Sequence, residues 1–427
     1  MSEGAEQRSR GADPSAASGA GPSSASPSAP EPSASWKNRD LFAPSDEHAL
    51  LAETLRSFVA REVEPQAAAH DREERFNLEL FRRAGELGLL GITVPERFGG
   101  SGLDAVAAVQ LYEALSTSDP GFALAVLAHA ILFAHNLAIN GNQEQCQRFL
   151  PGAVSGRSVA GMCMTEPGAG TDVMAMRTRA QRDGDDWLLD GIKTYITNGG
   201  LDSETLGDVF IVYARTGPQG LSAFLVEKGM PGFRLGQKWT DKLGMRASFT
   251  AELVFDGVRI PAENLMGAEG DGTRHMMRNL EIERLTLAAQ GLGIAQRSLR
   301  VMLDYANQRQ SFGRPLRDFG QIQSHIAERF AEYRAARVLV YDTARRHSFT
   351  RGGQRLDADA AKLLASQVAK RTADAAIQVL GGAGYMGENV VERLWRDAKL
   401  LEIGGGTLEA HHKNITQDLS NDASLLG

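Results

Sequence analysis

The hydrophobic period of this chain changes twice, and these changes limit the folds that it can adopt. Apolar residues first recur every three or four positions, as in HALLAETLRSFVAREV from His48, which is typical of amphipathic helices. Short alternating runs such as KTYIT and VFIVYAR follow, with Asp-Gly pairs between several of them that predict hairpins. The helical period then returns and continues to the end.

We therefore predict an α+β fold, mostly α, with three domains. An N-terminal helical domain covers residues 36–160, a middle antiparallel β domain covers 161–267, and a C-terminal helical bundle covers 268–427. Long helices joined by short loops favour an antiparallel bundle. Its predicted helices lie near 275–308, 319–350, 357–380 and 388–400.

Residues 1–35 form a tail of Ser, Ala, Pro and Gly that lacks large apolar residues after Met1. Such a segment cannot bury enough surface to offset its ordering entropy, so we predict disorder. A transit peptide is the competing interpretation, but the acidic residues Glu3, Glu6 and Asp13 argue against it.

Composition excludes several classes of protein. A net charge of −7 argues against a nucleic-acid partner, and apolar runs shorter than about 20 residues argue against a membrane span. The two cysteines, Cys146 and Cys163, form no disulfide framework, and the histidines lack metal-ligand spacing. We expect His411 and His412 on or near the surface, no metal, and a reducing compartment: the cytoplasm of a bacterium or the mitochondrial matrix of a eukaryote.

Four glycine-rich stretches could contact a ligand. Taken singly, most have an ordinary structural explanation as a turn, a hairpin or a helix end. QVLGGAGYMG contains more glycine than a helix C-cap requires, so a ligand or another backbone could approach closely there. The four stretches are GMCMTEPGAGTD at 161–172, GIKTYITNGG at 191–200, RQSFGRPL at 309–316 and QVLGGAGYMG at 378–387.

Glu283 interrupts a buried helical stripe. Met276, Leu280, Glu283, Leu287 and Gly291 fall on one face of a helix, whereas Glu281 points away from it. A buried carboxylate is costly unless it is paired or functional, and its pKa rises as a general base for a carbon acid requires. On this pattern alone, a pair with Arg284 or with a neighbouring helix is an equal alternative.

Six motifs together resemble the acyl-CoA dehydrogenase family from about Asp46 to about Leu419. In order they are TEPGAGTD, KTYITNG, KLGMRAS with VFDGVRIPAENLMG, RQSFGRP, QVLGGAGY and RDAKLLEIGGGT. The resemblance implies an N-terminal helical domain, a middle β domain and a C-terminal four-helix bundle. It also implies FAD, an acyl-CoA substrate, an electron-transferring flavoprotein as partner, and a homotetramer or homodimer.

The resemblance implies particular contacts as well. Thr171, Arg284 and Gly405 match substrate contacts. Five of the matched cofactor positions hold the adenine half of FAD in a neighbouring subunit: Arg309, Phe312, Gln378, Gly381 and Gly382. The others are Cys163, Met164, Thr165, Gly170, Thr171, Tyr195, Ile196, Thr197, Thr407 and Glu409.

The catalytic base separates branches of this family. Many members carry a glutamate just before the final Gly-Thr of the C-terminal motif, where this chain has Gly405. Isovaleryl-type and long-chain members carry it within LxxERL, which matches NLEIERL here and implies that Glu283 is the base. The product would be a trans-2-enoyl-CoA. Straight-chain enzymes tend to have tyrosine at the position of Gly404, so the resemblance implies a substrate with a branched, cyclic or short to medium acyl chain. The alternative functions are an acyl-CoA oxidase, a desulfinase or a catalytically silent flavin-binding subunit.

Overall fold

A computed structural model describes residues 40–217 and 220–426, and the predicted disorder of residues 1–35 lies outside these ranges. Helices fill the first part of the described chain, and side chains such as Ser45, Asp104 and Asn142 cap them by accepting from backbone N–H groups. The helices are α1 (Asp46–Phe58), α2 (Glu64–Arg72), α3 (Leu78–Glu86), α4 (Ala105–Ser116), α5 (Pro120–His129), α6 (Asn136–Asn140) and α7 (Gln143–Val154).

The segment from α5 to α6 is the most apolar stretch in this helical part of the chain. A π-helical turn at Ala130–His135 joins the two, and Pro120–Asn140 is long and apolar enough to cross a membrane by length and composition alone. However, 78% of its most apolar window is buried within the protein. A core helix meets the same criteria, and this segment packs as one.

The middle part is a mixed sheet with strand order β6-β7-β3-β2-β4-β5-β8. Most neighbours are antiparallel, as predicted, but β1 and β2 both run parallel to β4, so the prediction of a wholly antiparallel domain is wrong in this detail. These strands are not joined to β4 by hairpins, so alternation alone left their direction open. The strands are β1 (Ala160–Cys163), β2 (Arg179–Asp183), β3 (Asp186–Thr197), β4 (Val209–Arg215), β5 (Leu221–Glu227), β6 (Phe233–Lys238), β7 (Thr250–Ile260) and β8 (Leu265–Met266).

Long helices form the last part, in which α8, α9, α10 and α12 make the predicted four-helix bundle. Glycines let α8 approach its neighbours. A Cβ at Gly291 would lie 2.9 Å from the carbonyl oxygen of Ala365 on α10, and one at Gly293 would lie 2.3 Å from that of Glu113 on α4. The elements are α8 (Gly272–Gln308), the hairpin β9 (Gln310–Ser311) and β10 (Arg314–Pro315), α9 (Gly320–Arg346), α10 (Arg355–Leu380), α11 (Gly382–Tyr385), α12 (Val390–Leu401) and α13 (Leu408–Asn421).

Candidate active site

Glu283 lies on the buried face of α8, as its sequence stripe predicts, with 7% of its surface exposed. Its Oε2 atom makes no hydrogen bond within the part of the chain that the structure describes. Burial raises the pKa of Glu283 to about 7, against the opposing charges of Arg284 and Lys362. Arg284 does not pair with Glu283, because its Nη1 lies 2.9 Å from Oδ1 of Asp359.

The loop between α12 and α13 passes directly beside this carboxylate. A Cβ on Gly405 would lie 3.5 Å from Oε1 of Glu283 and only 2.2 Å from Cδ1 of Leu287. Gly405 and Gly406 have φ values of 65° and 102°, a region that favours glycine. We call Gly404–Gly406 the glycine turn. The structure therefore brings together two predicted site residues, Glu283 and Gly405, that are distant in sequence.

Three buried charged or titratable residues lie under the glycine turn, and the sequence analysis missed their role. Nζ of Lys362 donates to the carbonyl oxygen of Gly406 at 2.6 Å, and Nε2 of His411 lies 3.1 Å from the same oxygen. Nδ1 of His411 lies 2.9 Å from Oδ1 of Asp359. The prediction that His411 lies near the surface is wrong, since it packs against α10. The sequence does contain one indication of this cluster: the charged residues Asp359 and Lys362 interrupt a run of small and apolar residues, DADAAKLLAS.

The first two glycine-rich stretches meet where β1 and β3 end. The N–H of Thr194 donates to the carbonyl oxygen of Thr165 at 2.9 Å, and Nζ of Lys193 donates to that of Met164 at 3.0 Å. Lys193 is fully buried and also pairs with Glu166 at 2.9 Å. Since Glu166 accepts from the N–H groups of Arg177 and Thr178 in turn, this pair fixes both ends of the loop after β1.

The surroundings of this loop fit a flat aromatic ligand. Tyr195 has a φ of 58° and is 62% exposed, with its ring centroid 5.1 Å from that of Trp239. The indole nitrogen of Trp239 is buried without a hydrogen-bond partner among the described residues, and the sequence analysis missed this residue. A Cβ on Gly168 or Gly170 would meet nothing within 4 Å. The region where β1 and β3 end therefore offers accessible backbone at Gly168 and Gly170, the exposed ring of Tyr195, and the buried N–H of Trp239, which has no partner among the described residues.

The other predicted cofactor contacts, which lie at or after the end of β1, in β3 and at the start of α13, differ in access. The Cys163 and Ile196 side chains pack in the core of the sheet, so only their backbone could reach a ligand. Met164, Thr165 and Thr197 are half-buried, and Thr171 is exposed. Thr407 caps α13 by accepting from the N–H of Ala410, and Glu409 is exposed on the first turn of that helix.

The remaining predicted contacts lie at the opposite end of the bundle. Phe312 is 94% exposed at the tip of the β9–β10 hairpin, and Arg309, Gln378, Gly381 and Gly382 are also exposed. Arg309 follows Glu283 by 26 positions, which corresponds to about 39 Å along α8. The structure does not bring this group to Glu283 within one chain.

Comparison with known proteins decides the family. Models described as acyl-CoA dehydrogenase N-terminal, middle and C-terminal domains match residues 45–157, 161–258 and 270–420. The chain belongs to the acyl-CoA dehydrogenase family. It is an oxidoreductase of an FAD-dependent family, and the predicted arrangement of helical, β-sheet and helical domains is confirmed.

Similar relatives carry different names. An isovaleryl-CoA dehydrogenase from Arabidopsis thaliana is 39% identical over 88% of this chain and 91% of the relative. A short-chain-specific acyl-CoA dehydrogenase from Clostridium acetobutylicum is 38% identical over 85% of this chain and 95% of the relative. Sequence identity to these relatives therefore does not distinguish an isovaleryl-CoA substrate from a short-chain acyl-CoA substrate.

Solved structures agree on the fold. Butyryl-CoA dehydrogenase from Megasphaera elsdenii has a TM-score of 0.83 and 36% identity, covering 88% of this chain and 98% of its own. A chain from a study of the electron transferring flavoprotein of Acidaminococcus fermentans has a TM-score of 0.85 and 35% identity, covering 88% of this chain and 99% of its own. A glutaryl-CoA dehydrogenase from Mycobacterium smegmatis in complex with FADH2 has a TM-score of 0.83 and 30% identity, covering 89% and 96%.

Proposed function

We propose that this acyl-CoA dehydrogenase converts a branched or cyclic acyl-CoA of short or medium length to its trans-2-enoyl-CoA, with Glu283 as the base. The observation that carries the choice of base is the buried Glu283 carboxylate, whose Oε2 lacks a partner among the described residues and whose Oε1 faces the glycine turn. An uncompensated buried carboxylate costs several kcal/mol, roughly, so a role in proton transfer explains its retention.

Two groups of this chain act on the reacting atoms. Glu283 accepts the α-proton of the thioester, for which a pKa of about 7 suits a base that works near neutral pH. The N–H of Gly405 donates to the thioester carbonyl as negative charge develops on its oxygen. Glycine at this position supplies the donor without placing a second carboxylate beside Glu283.

FAD fits the loop after β1 and the end of β3. Thr165, Thr171 and Thr197 would hold it through hydroxyl and backbone groups, while Tyr195 and Trp239 offer aromatic contact and a free N–H. When bound, FAD would supply the acceptor for the β-hydrogen and its electron pair, which leave together as a hydride while Glu283 takes the α-proton. We propose an electron-transferring flavoprotein as the next acceptor and a homotetramer or homodimer as the assembly, in keeping with the family.

The proposed preference for branched or cyclic chains rests on space near the glycine turn. The atoms nearest to a Cβ on Gly404 would be those of Leu400, at 3.6 Å or more, so the backbone admits a side chain that the sequence does not provide. We propose that the room at Gly404, next in sequence to the Gly405 that faces the base, suits an acyl group with a substituent near its reacting carbons.

The deciding experiment for the base is stopped-flow reduction of the flavin in Glu283→Gln. This change keeps size and hydrogen bonding but removes the proton acceptor, so the flavin should bind while its bleaching by substrate slows by about 10²–10⁴-fold. Glu281→Gln is the matched control, because Glu281 turns away and accepts from the N–H of Gly353 at 3.1 Å, which an amide oxygen can still do. Bleaching of Glu283→Gln at the wild-type rate would falsify the assignment.

Anaerobic titration with a panel of acyl-CoAs tests the substrate. Isovaleryl-, isobutyryl- and cyclohexanoyl-type thioesters should give a higher kcat/KM than butyryl- and palmitoyl-CoA. The reverse order would contradict the preference but not the reaction. Oxygen consumption without any electron-transfer partner would instead identify an oxidase.

A further inference from the structure

The carbonyl oxygen of Gly406 has two buried side-chain contacts from two different helices. Lys362 of α10 donates to it at 2.6 Å, and Nε2 of His411 on α13 lies 3.1 Å from it. Both side chains are fully buried. One donor is enough to satisfy a loop carbonyl in the protein interior. Two buried basic groups at one carbonyl therefore require a reason beyond satisfying that oxygen.

The second nitrogen of His411 is also held. Nδ1 lies 2.9 Å from Oδ1 of Asp359, whose carboxylate further binds Arg284 at 2.9 Å and Asn414 at 2.9 Å. Although burial raises the pKa of Asp359, the bond with His411 and the charge of Arg284 hold that pKa below its usual range. The Asp359 carboxylate is therefore ionised and can only accept hydrogen bonds from its neighbours. Because burial lowers the pKa of His411, the neutral ring donates to only one of its two acceptors, and the tautomer protonated at Nε2 is the one that holds Gly406.

These contacts connect three helices to the loop beside the base. Arg284 follows Glu283 on α8, Asp359 and Lys362 lie on α10, and His411 lies on α13. The next residue back from the held carbonyl is Gly405, whose Cα lies beside the Glu283 carboxylate and whose N–H is the proposed donor to the thioester. Glycine has the widest backbone freedom of any residue, so a run of three glycines keeps one conformation only when it is held from outside.

We propose that Lys362 and His411 are positioning residues: by holding the carbonyl oxygen of Gly406, they fix the amide of Gly405 relative to the Glu283 carboxylate. This inference rests on the proposed function. Neither side chain needs to touch substrate, because both act through the glycine turn. A displacement of about 1 Å at such a donor can cost about 10²-fold in rate.

The experiment compares Lys362→Met and His411→Leu with wild type in the flavin-loaded enzyme. Hydrogen–deuterium exchange of the peptide that contains the glycine turn should accelerate by about tenfold or more in each variant. The kcat should fall by about 10–100-fold while KM stays within about threefold, because the donor acts mainly in the transition state. His411→Gln, whose amide can still donate to Gly406, should recover part of the kcat lost in His411→Leu.

Two neighbouring residues, Lys399, which is half-buried, and His412, which is exposed, provide matched controls. Lys399→Met removes a lysine that flanks the same turn but binds Glu402 at 2.7 Å, and His412→Gln changes the exposed residue next to His411. Both should keep wild-type exchange and kcat. Unchanged exchange of the glycine turn in Lys362→Met and His411→Leu, or an unchanged kcat, would overturn the proposal. Because exchange is read without turnover, this result is independent of whether Glu283→Gln stops the reaction.

Discussion

The protonation state of Glu283 links the activity of this enzyme to pH. Burial raises the pKa of Glu283 to about 7, and only the ionised carboxylate can accept the α-proton. The rate of flavin reduction should therefore fall about tenfold for each pH unit below about 7 and level off above it. Stopped-flow traces from about pH 5.5 to about pH 8 measure this. A rate that stays flat across that interval would contradict a base with a raised pKa.

Moving the base to the glycine turn should fail for a local reason. In Glu283→Gln/Gly405→Glu, the new Cβ would lie 2.2 Å from Cδ1 of Leu287 at a φ of 65°, so the new side chain is strained. We expect no more than slight recovery of flavin reduction. Adding Leu287→Ala removes the clash and should raise the rate further. Equal rates in the double and triple variants would show that Leu287 does not block this position.

At the residue scale, the sequence predicts a site residue whose burial depends on neighbours in its own helix, and it misses residues whose contacts join distant parts of the chain. Glu283 was found because its neighbours one and two turns away are on the same helix. The contacts of Lys362 and His411 join α10, α13 and the glycine turn, which no periodicity relates. The adjacent pair His411 and His412 illustrates the limit, since only packing against α10 buries one and leaves the other exposed.

At the scale of elements, a buried ion pair holds the loop after β1 against β3. Removing one partner of such a pair leaves the other charged, buried and unpaired, which costs about 3–5 kcal/mol. Lys193→Met should therefore lower the thermal unfolding temperature and reduce the retained flavin. Adding Glu166→Gln removes the stranded charge and should recover part of the stability. A single variant as stable and as yellow as wild type would contradict this role.

The same scale shows why elements are easier to predict than their pairing. Helices α8, α9, α10 and α12 match the predicted segments within a few residues at their ends, because each helix repeats its own pattern. The parallel pairing of β1 and β2 with β4 depends on a path between strands far apart in sequence. The helix α13 was missed because its pattern is largely polar, with His411 its only fully buried side chain.

For the whole molecule, the predicted FAD contacts fall into two groups, and Arg309 of the second group lies about 39 Å along α8 from Glu283. One group surrounds the loop after β1, and the other includes Phe312 and Gly381. Under the proposed assembly, the two groups would reach one dinucleotide from two different copies of the chain. This separation supports the proposed assembly of identical subunits.

Phe312 provides the test of that assembly. It is 94% exposed, and Tyr385, at the end of α11, is 82% exposed, an arrangement typical of a surface that another chain covers. Phe312→Asn removes the apolar ring, while asparagine tolerates the φ of 50° at this turn. We expect a smaller species in sedimentation velocity and a lower ratio of flavin to protein absorbance.

The control for Phe312→Asn is Leu50→Gln, which changes an apolar residue that is 65% exposed on α1 and lies outside every predicted FAD contact. It should leave both the sedimentation coefficient and the flavin content unchanged. We expect the two readouts to change together, because the proposed assembly brings the second group of contacts to FAD through a second chain. If Phe312→Asn lost its flavin but kept its size, Phe312 would contact the cofactor without stabilising the assembly. If it kept both, the far end of the bundle would play no part in cofactor binding.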